Sequence, residues 1–231
     1  MNILITGVAG FIGSRVAQRF ISEGHKVVGI DNLSGGKLEN IPKEVEFLNI
    51  NLIESSSISK IPKNLDLILH LAGQSSGEIS FHNPIEDLNK NTTSCLNLIK
   101  YGIENKIKKF IFASSMSVYG DIDCLASGVK ETTILEPKSC YGISKLSSER
   151  YLNVFKNQLP YLSLRMFNVY GPGQDMENMR QGMVSIFLSQ AIKNKKIVIK
   201  GSLYRFRDFI YIDDVVECWY KASLNEKVFN Q

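Results

Sequence analysis

The sequence predicts an α/β protein built on a doubly wound parallel sheet. Three observations carry that expectation. Short runs that are apolar on both faces recur along the chain, as in NILIT (2–6) and LDLILHL (65–71). Stretches of helical periodicity alternate with them. A glycine-rich turn, within TGVAGFIG (6–13), joins the first run to the first helix. Strands with two apolar faces need cover on both sides, and helices crossing between parallel strands provide it.

Each element has its own signal. The first strand is expected over 2–6, followed by the turn from Gly7 to Gly13. Across 11–23, Phe11, Ile12, Val16, Phe20 and Ile21 recur at helical spacing, and Gly24 stops the helix. KVVGI (26–30) is the second strand, 45–48 the third and 65–71 the fourth. Pro84 suits a first helical turn and opens a helix to about residue 101. KFIFA (109–113) is the fifth strand, 140–157 a helix and 161–165 a sixth strand. With right-handed crossovers this order is Rossmann-like. Past Gly171 the pattern loosens into a helix near 179–193, a strand at 196–200, a helix at 213–224 and the beginning of a strand at 227–230. The expected division is a cofactor-binding domain over 1–170, rejoined by 211–231, and an incomplete small substrate-binding lobe over 171–210.

Composition narrows the function classes. The 231 residues suit one large domain or a domain with a smaller lobe. A hydrophobic fraction of 44% with 22% charged residues is ordinary for a globular chain. No apolar run reaches the roughly 18 residues of a membrane span. The N-terminus reads as a buried strand, without the basic region and small-residue cleavage site of a signal peptide. The net charge of +4 fits an anionic ligand without singling one out. Lys193, Lys195 and Lys196 read as a solvated helix end and turn, not as a nucleic-acid patch, because no aromatic stacking motif accompanies them. Cys95, Cys124, Cys140 and Cys218 have no metal-ligand spacing. They read as small buried or half-buried side chains of a reducing compartment, with no metal site. His70 ends an apolar strand, where it is placed to line a cofactor. The expectation is a cytoplasmic protein with neither nucleic acid nor membrane as partner.

The glycine turn carries the first chemistry. Gly7, Gly10 and Gly13 stand between a strand and a helix, the context in which such glycines bind a dinucleotide. Gly7 permits the turn, Gly10 lets the backbone approach a pyrophosphate, and Gly13 brings helix and strand together. The helix N-terminus adds free N–H groups and partial positive charge. Asp31 closes the second strand, where a carboxylate accepts both ribose hydroxyls and repels a 2′-phosphate, selecting NAD over NADP. Its alternative is a turn residue in DNLSGG (31–36).

The second chemistry lies in CYGISK (140–145). Tyr141 and Lys145, four apart, share a helix face. A tyrosine acting as a base at neutral pH must fall by roughly 3 units, about 4 kcal/mol. A lysine charge at about 6 Å supplies roughly 2.8 kcal/mol at an effective dielectric near 20. The helix N-terminus and an oxidised nicotinamide ring supply the remainder. SSMSVYG (114–120) ends the fifth strand at the carboxyl edge, where such sheets bind ligands, and offers Ser115 to share a proton with Tyr141. Taken alone, a tyrosine and a lysine at this spacing are an ordinary surface pair.

With these motifs in hand, the chain resembles the extended short-chain dehydrogenase/reductases, specifically their nucleotide-sugar epimerase/dehydratase group. TGVAGFIG, DNLSGG, HLAG (70–73), NKNTTS (89–94), SSMSVYG, YGISK, LRMFNVYGPG (164–173) and RFRDFIYIDDVV (205–216) carry the resemblance along nearly the whole chain. It implies that Tyr141, helped by Ser115 and Lys145, takes the proton of a sugar C4 hydroxyl while a hydride passes to NAD. It implies cofactor contacts at Gly7, Gly10, Phe11, Ile12, Gly13, Asp31, Asn32, Asn51, Leu52, Leu71, Ala72, Gly73, Asn91, Tyr141 and Lys145. Asn51 stands where an adenine-contacting aspartate is usual. Substrate contacts are implied at Ser115, Asn168 and Arg207, the arginine facing the diphosphate. For the last two the alternatives are a turn amide and a surface salt bridge. The implied partners are a UDP-sugar and a second copy, meeting through the helices near 84–101 and 140–157.

The same resemblance bears on the reaction. Dehydratases of the group typically carry an acid one or two residues after the catalytic Ser or Thr. Here those residues are Met116 and Ser117, which favours 4-epimerisation through a transient 4-keto sugar over loss of water. Members generally continue beyond the point matching Asn230, with a part that shapes the sugar pocket. A non-catalytic NAD-binding module of the same fold is therefore the alternative to an epimerase, and a dehydratase is the further one.

Overall fold

The computed structural model describes residues 1–122, 128–199, 201–204 and 206–231. Strand β1 (Asn2–Thr6) leads through the glycine turn into helix α1 (Phe11–Ser22), then β2 (Lys26–Asp31) and β3 (Glu46–Asn49). A short helix α2 (Ser55–Ile58) precedes β4 (Leu67–His70). Helices α3 (Gly77–His82) and α4 (Pro84–Leu88) follow, and a π-helical turn (Asn89–Thr93) links α4 to α5 (Ser94–Glu104). Then come β5 (Lys109–Ser115), α6 (Cys140–Val154) and β6 (Tyr161–Met166). Strand β7 (Asn168–Tyr170), α7 (Met183–Asn194), β8 (Phe209–Tyr211) and α8 (Ile212–Leu224) complete the set.

The six strands β1 to β6 form one parallel sheet in the order β3-β2-β1-β4-β5-β6. Strands β2 and β3 lie on one side of β1 and strands β4, β5 and β6 on the other, so the strand order reverses between β1 and β4. Side chains alternate along β1, as a strand's period of two requires. Ile3 and Ile5 join Phe20 of α1 and Trp219 of α8 on one face, while Leu4 joins Leu98, Phe110 and Phe112 on the other. Both faces of the central strands β1 and β4 are dry, which is why those strands lack polar alternation.

Helix α8 returns to the first face and packs on α1. Arg19 lies 4.1 Å over the Tyr220 ring and bonds Glu217 at 3.1 Å, and Phe20 meets Tyr220 edge-on at 5.4 Å. Glu149 of α6 and Arg165 of β6 form a bidentate ion pair at 2.7 and 2.9 Å, which fixes the helix against the sheet.

Several expectations need correction. The helix expected over 84–101 runs on to residue 104, but it widens to a π-helical turn at Asn89–Thr93, where Asn91 is buried. The helix expected from 179 begins at Met183, because Gly182 adopts a left-handed φ of 88°. Residues 196–199 form no strand: Ile197, Val198 and Ile199 are exposed, and residue 200 of that expectation lies outside the described residues. Strands β7 and β8 form a separate parallel pair that three-residue runs did not announce. At the chain's end a 3-10 turn occupies Glu226–Val228, and only then does the backbone pair with β6, Ser163 N donating to Gln231 O at 2.9 Å. Cys95 is buried and Cys140 half-buried, but Cys218 is exposed, and Cys124 lies outside the described residues. Among the described residues, no helix is long and apolar enough to cross a membrane.

Candidate active site

The reversal between β1 and β4 opens a cleft of about 1010 Å³ at the carboxyl ends of the strands. Ligands bind open α/β sheets at this place because diverging loops leave room there. The lining draws on the glycine turn, the ends of β2, β4 and β5, helix α6, and the segment after β7.

At one end stands the turn before α1. Gly7 has φ 72°, and a Cβ there would meet Ala72 N at 2.8 Å. A Cβ on Gly13 would stand 2.0 Å from Gly7 O, so only glycine lets α1 begin this close to β1. Gly10 caps α1 with no side-chain hydrogen bond and no acid follows in the first turn, which leaves the helix N-terminus open to the cleft. Phe11 and Ile12 line the same wall. Asp31 is held by two backbone donors, Ala9 N at 3.0 Å and Leu33 N at 2.8 Å. A carboxylate has about four acceptor sites, so capacity for two hydroxyls remains.

Beyond Asp31, the side chains are tied to their own turns. Asn32 accepts from Ser34 N at 3.1 Å, and Asn51 accepts from Ile53 N while donating to Glu54. Both line the cleft, as does Leu52. Of the segment after β4, Leu71, Ala72 and Gly73 line the other end, with Ala72 N donating to Thr6 Oγ1 at 3.1 Å. A Cβ on Gly73 would lie 2.4 Å from Asn91 Oδ1 and 3.4 Å from Lys145 Nζ. Gly73 thus lets the chain pass directly over these two groups. Asn91 Oδ1 is buried with no partner among the described residues, although its Nδ2 donates to Asp87 at 3.1 Å.

Tyr141, Lys145 and Ser115 meet in this region. Ser139 caps α6 by accepting from Gly142 N at 3.1 Å, which starts the helix one residue before Tyr141. Lys145 Nζ lies 4.9 Å from the Phe112 ring centroid and 5.8 Å from that of Tyr141. Ser115, the last residue of β5, accepts from Ser117 N at 3.2 Å. All three side chains are buried. Burial pushes the Tyr141 phenol above its ordinary range, and a hydrogen bond with Ser115 opposes that. Burial also pulls the Lys145 ammonium down to about 8. The expected effect of the lysine on the phenol is therefore outweighed in the protein alone: the phenol stays neutral.

Two further expectations meet a different geometry. His70 does not line the cleft; it is fully buried in the sheet, with Nδ1 2.8 Å from Thr6 Oγ1 and its ring between Phe110 and Phe112. Arg207 lies outside the lining as well, and its guanidinium donates to the carbonyl of Phe206 at 2.9 Å. Asn168 does line the cleft, where its amide donates to Asp208 O at 2.7 Å and faces Met116 Sδ at 3.7 Å.

Among the lining residues that the sequence did not single out are Asp87 and Gln74. Asp87 is a buried carboxylate beneath Asn91, and Gln74 donates to it at 2.8 Å. The four-residue step from Asp87 to Asn91 was the available signal, since it puts both on one helix face.

The donor set fits a dinucleotide. An uncapped helix N-terminus behind a glycine turn suits a pyrophosphate, Asp31 suits ribose hydroxyls, and the orphaned Asn91 Oδ1 with Lys145 Nζ offers polar contacts at the other end. A family model described as the NAD dependent epimerase/dehydratase family matches residues 3–230. The UDP-glucose 4-epimerase of Mycolicibacterium smegmatis is 32% identical over 232 residues, spanning 96% of this chain and 73% of its own. A UDP-glucose 4-epimerase of Thermotoga maritima, solved with UDP-glucose, superposes with a TM-score of 0.89 at 38% identity, over 96% of this chain and 73% of that one. The UDP-glucose 4-epimerase of Thermus thermophilus, solved with NAD, gives 0.90 at 32% identity, over 97% and 75%.

Proposed function

The chain belongs to the NAD dependent epimerase/dehydratase family, and from that premise we propose that it inverts C4 of a UDP-sugar through a transient 4-keto sugar. The observation that carries this reading is the convergence of Tyr141, Ser115 and Lys145 on one cleft, beside Met116 and Ser117 in place of an acid. Elimination of water needs a general acid as well as a base at the sugar, and neither a thioether nor an alcohol serves at neutral pH.

In this reading residues 1–170 with 211–231 hold the cofactor, and 171–210 contribute to the sugar side. Gly7, Gly10, Gly13 and the start of α1 bind the pyrophosphate, and Asp31 binds the adenosine ribose. Asn32, Asn51 and Leu52 border the adenine, while Leu71, Ala72, Gly73 and Asn91 border the nicotinamide. NAD, held by these residues, would supply the hydride acceptor that oxidation at C4 requires. Tyr141 removes the C4 hydroxyl proton, Ser115 shares it, and Lys145 favours the ionised phenol and holds the nicotinamide ribose. Asn168 borders the sugar. A homodimer through α4, α5 and α6 is part of the proposal, because Ile85, Leu88, Ile143 and Val154 are exposed there.

The test is incubation with NAD and UDP-glucose, UDP-N-acetylglucosamine or UDP-glucuronate, followed by chromatography of the sugar nucleotides. The expected result is a C4 epimer of at least one, abolished by Tyr141→Phe. Bound NAD with no conversion of any sugar leaves the non-catalytic module as the better reading.

A further inference from the structure

Asp87 has no place in the chemistry above, yet it is one of the most completely enclosed carboxylates described, at 1% exposure. Its Oδ2 accepts from Ser144 Oγ at 2.7 Å. Its Oδ1 accepts from Gln74 Nε2 at 2.8 Å and Asn91 Nδ2 at 3.1 Å. These donors come from three walls of the cleft: helix α6, the loop after β4, and the π-helical turn. Because Asn91 Nδ2 is engaged by Asp87, the Asn91 Oδ1 is turned toward Gly73, where Lys145 Nζ also lies.

We propose that Asp87 is a positioning residue for the Tyr141–Lys145 pair: its carboxylate is the counter-charge that keeps the buried lysine protonated, and its hydrogen bonds aim the Asn91 carbonyl at the same point. The proposal rests on the reading of Lys145 as part of the reacting pair. It follows from a count of the groups that face the lysine. Tyr141 is a neutral phenol, pushed up by burial. Cys95 is a thiol pushed up to about 12, and His70 is an imidazole pushed down to about 3, so neither is charged at pH 7. Glu149 is matched by the Arg165 guanidinium at 2.7 Å. Asp87 alone among them carries a charge with no ion-pair partner among the described residues. Burial pulls Lys145 down to about 8, and Asp87 is among the charges that pull it back up. The coupling runs both ways, since burial pushes the Asp87 carboxyl up while its hydrogen bond from Ser144 and the Lys145 charge bring it down.

Asp87→Asn isolates the charge. An amide oxygen at the Oδ1 position still accepts from Gln74 and Asn91, and the Ser144 hydroxyl can turn to accept from the new NH₂. The measurement is an NMR titration of the lysine side chains in NAD-free protein, with the Lys145 signal assigned by its loss in Lys145→Met. The expected result is a Lys145 midpoint lower in Asp87→Asn than in the unchanged protein. Where sugar turnover is observed, its alkaline limb moves down by the same amount. An unmoved midpoint in a folded Asp87→Asn protein overturns the proposal. Should that variant not fold, the reciprocal titration decides: loss of the cation in Lys145→Met raises the Asp87 carboxyl midpoint, and an unmoved carboxyl overturns the proposal. Both titrations need neither cofactor nor substrate. A protein with the coupling intact but no epimer formed would refute the epimerase reading and leave Asp87's role standing.

Discussion

His70 makes the acid stability of this protein a measurable quantity. The imidazole has no solvent exposure, its Nε2 has no partner among the described residues, and it lies between two phenylalanine rings. Burial pulls it down to about 3, and the nearby Lys145 charge adds to that. The unfolded chain binds this proton near pH 6.5 and the folded protein near pH 3, so between those values the unfolded state holds more protons. Stability therefore falls as pH drops through that window. From pH 7 to pH 4 the imidazole alone costs about 3 kcal/mol, a large part of the roughly 5–15 kcal/mol of a typical domain. The perturbation is His70→Phe, which keeps an aromatic ring in the stack and removes the titration. It leaves Thr6 Oγ1 without its His70 partner, a loss of about 1 kcal/mol that does not depend on pH. The assay is urea unfolding of both proteins at pH 7 and pH 4. The carboxylates titrate alike in the two and cancel in the difference. The unchanged protein should lose about 3 kcal/mol more than the variant over this interval. Equal losses would refute a buried neutral His70.

The other predictions concern the cleft and its frame. Gly13→Ala forces a Cβ to within 2.0 Å of Gly7 O, so α1 must move; a loss of about 1–3 kcal/mol in thermal unfolding and weaker NAD binding by fluorescence titration are expected. Glu149→Gln breaks the buried pair with Arg165, whose side chain is only 19% exposed; chemical unfolding should show a loss of about 3 kcal/mol. The phenol of Tyr141 should ionise only above the usual tyrosine range in NAD-free protein. Adding oxidised NAD should move it down, read as the tyrosinate absorbance difference between the unchanged protein and Tyr141→Phe.

What the sequence reveals of this fold depends on how far each signal reaches along the chain. The strands of the sheet were legible because burial on both faces leaves continuous apolar runs, and the glycine turn because no other residue tolerates the contact at Gly13. The separate β7–β8 pair was not, since three residues are too few for a period to show. The π-helical turn was also hidden. In NPIEDLNKN (83–91) the four-residue step from Asp87 to Asn91 puts the two on one face, but nothing local says that this face is the buried one. The same limit applies to Arg207, whose place near the diphosphate comes from the resemblance alone; here its guanidinium donates to the Phe206 carbonyl. A polar residue's depth depends on what packs over it, and that is supplied by segments far away in sequence.

The Tyr141–Lys145 pair turns on that point. A four-residue spacing specifies a shared face, and the Coulomb term across it is about 2.8 kcal/mol in favour of the phenolate. It says nothing of desolvation, which costs several kcal/mol per buried ion. Both side chains are less than a tenth exposed, so burial acts against each charge separately: it disfavours the phenolate and the ammonium alike. Side chains alone thus leave a neutral phenol beside a lysine titrating near 8, which is still mostly charged at pH 7. The balance shifts only with a further positive charge in the cleft, and the oxidised nicotinamide ring brings one. By linkage, whatever that ring contributes to ionising Tyr141 is returned as affinity for the oxidised cofactor when the phenol is ionised. In the proposed mechanism, a phenol held neutral until oxidised cofactor arrives would be a base that forms only where a hydride acceptor is present.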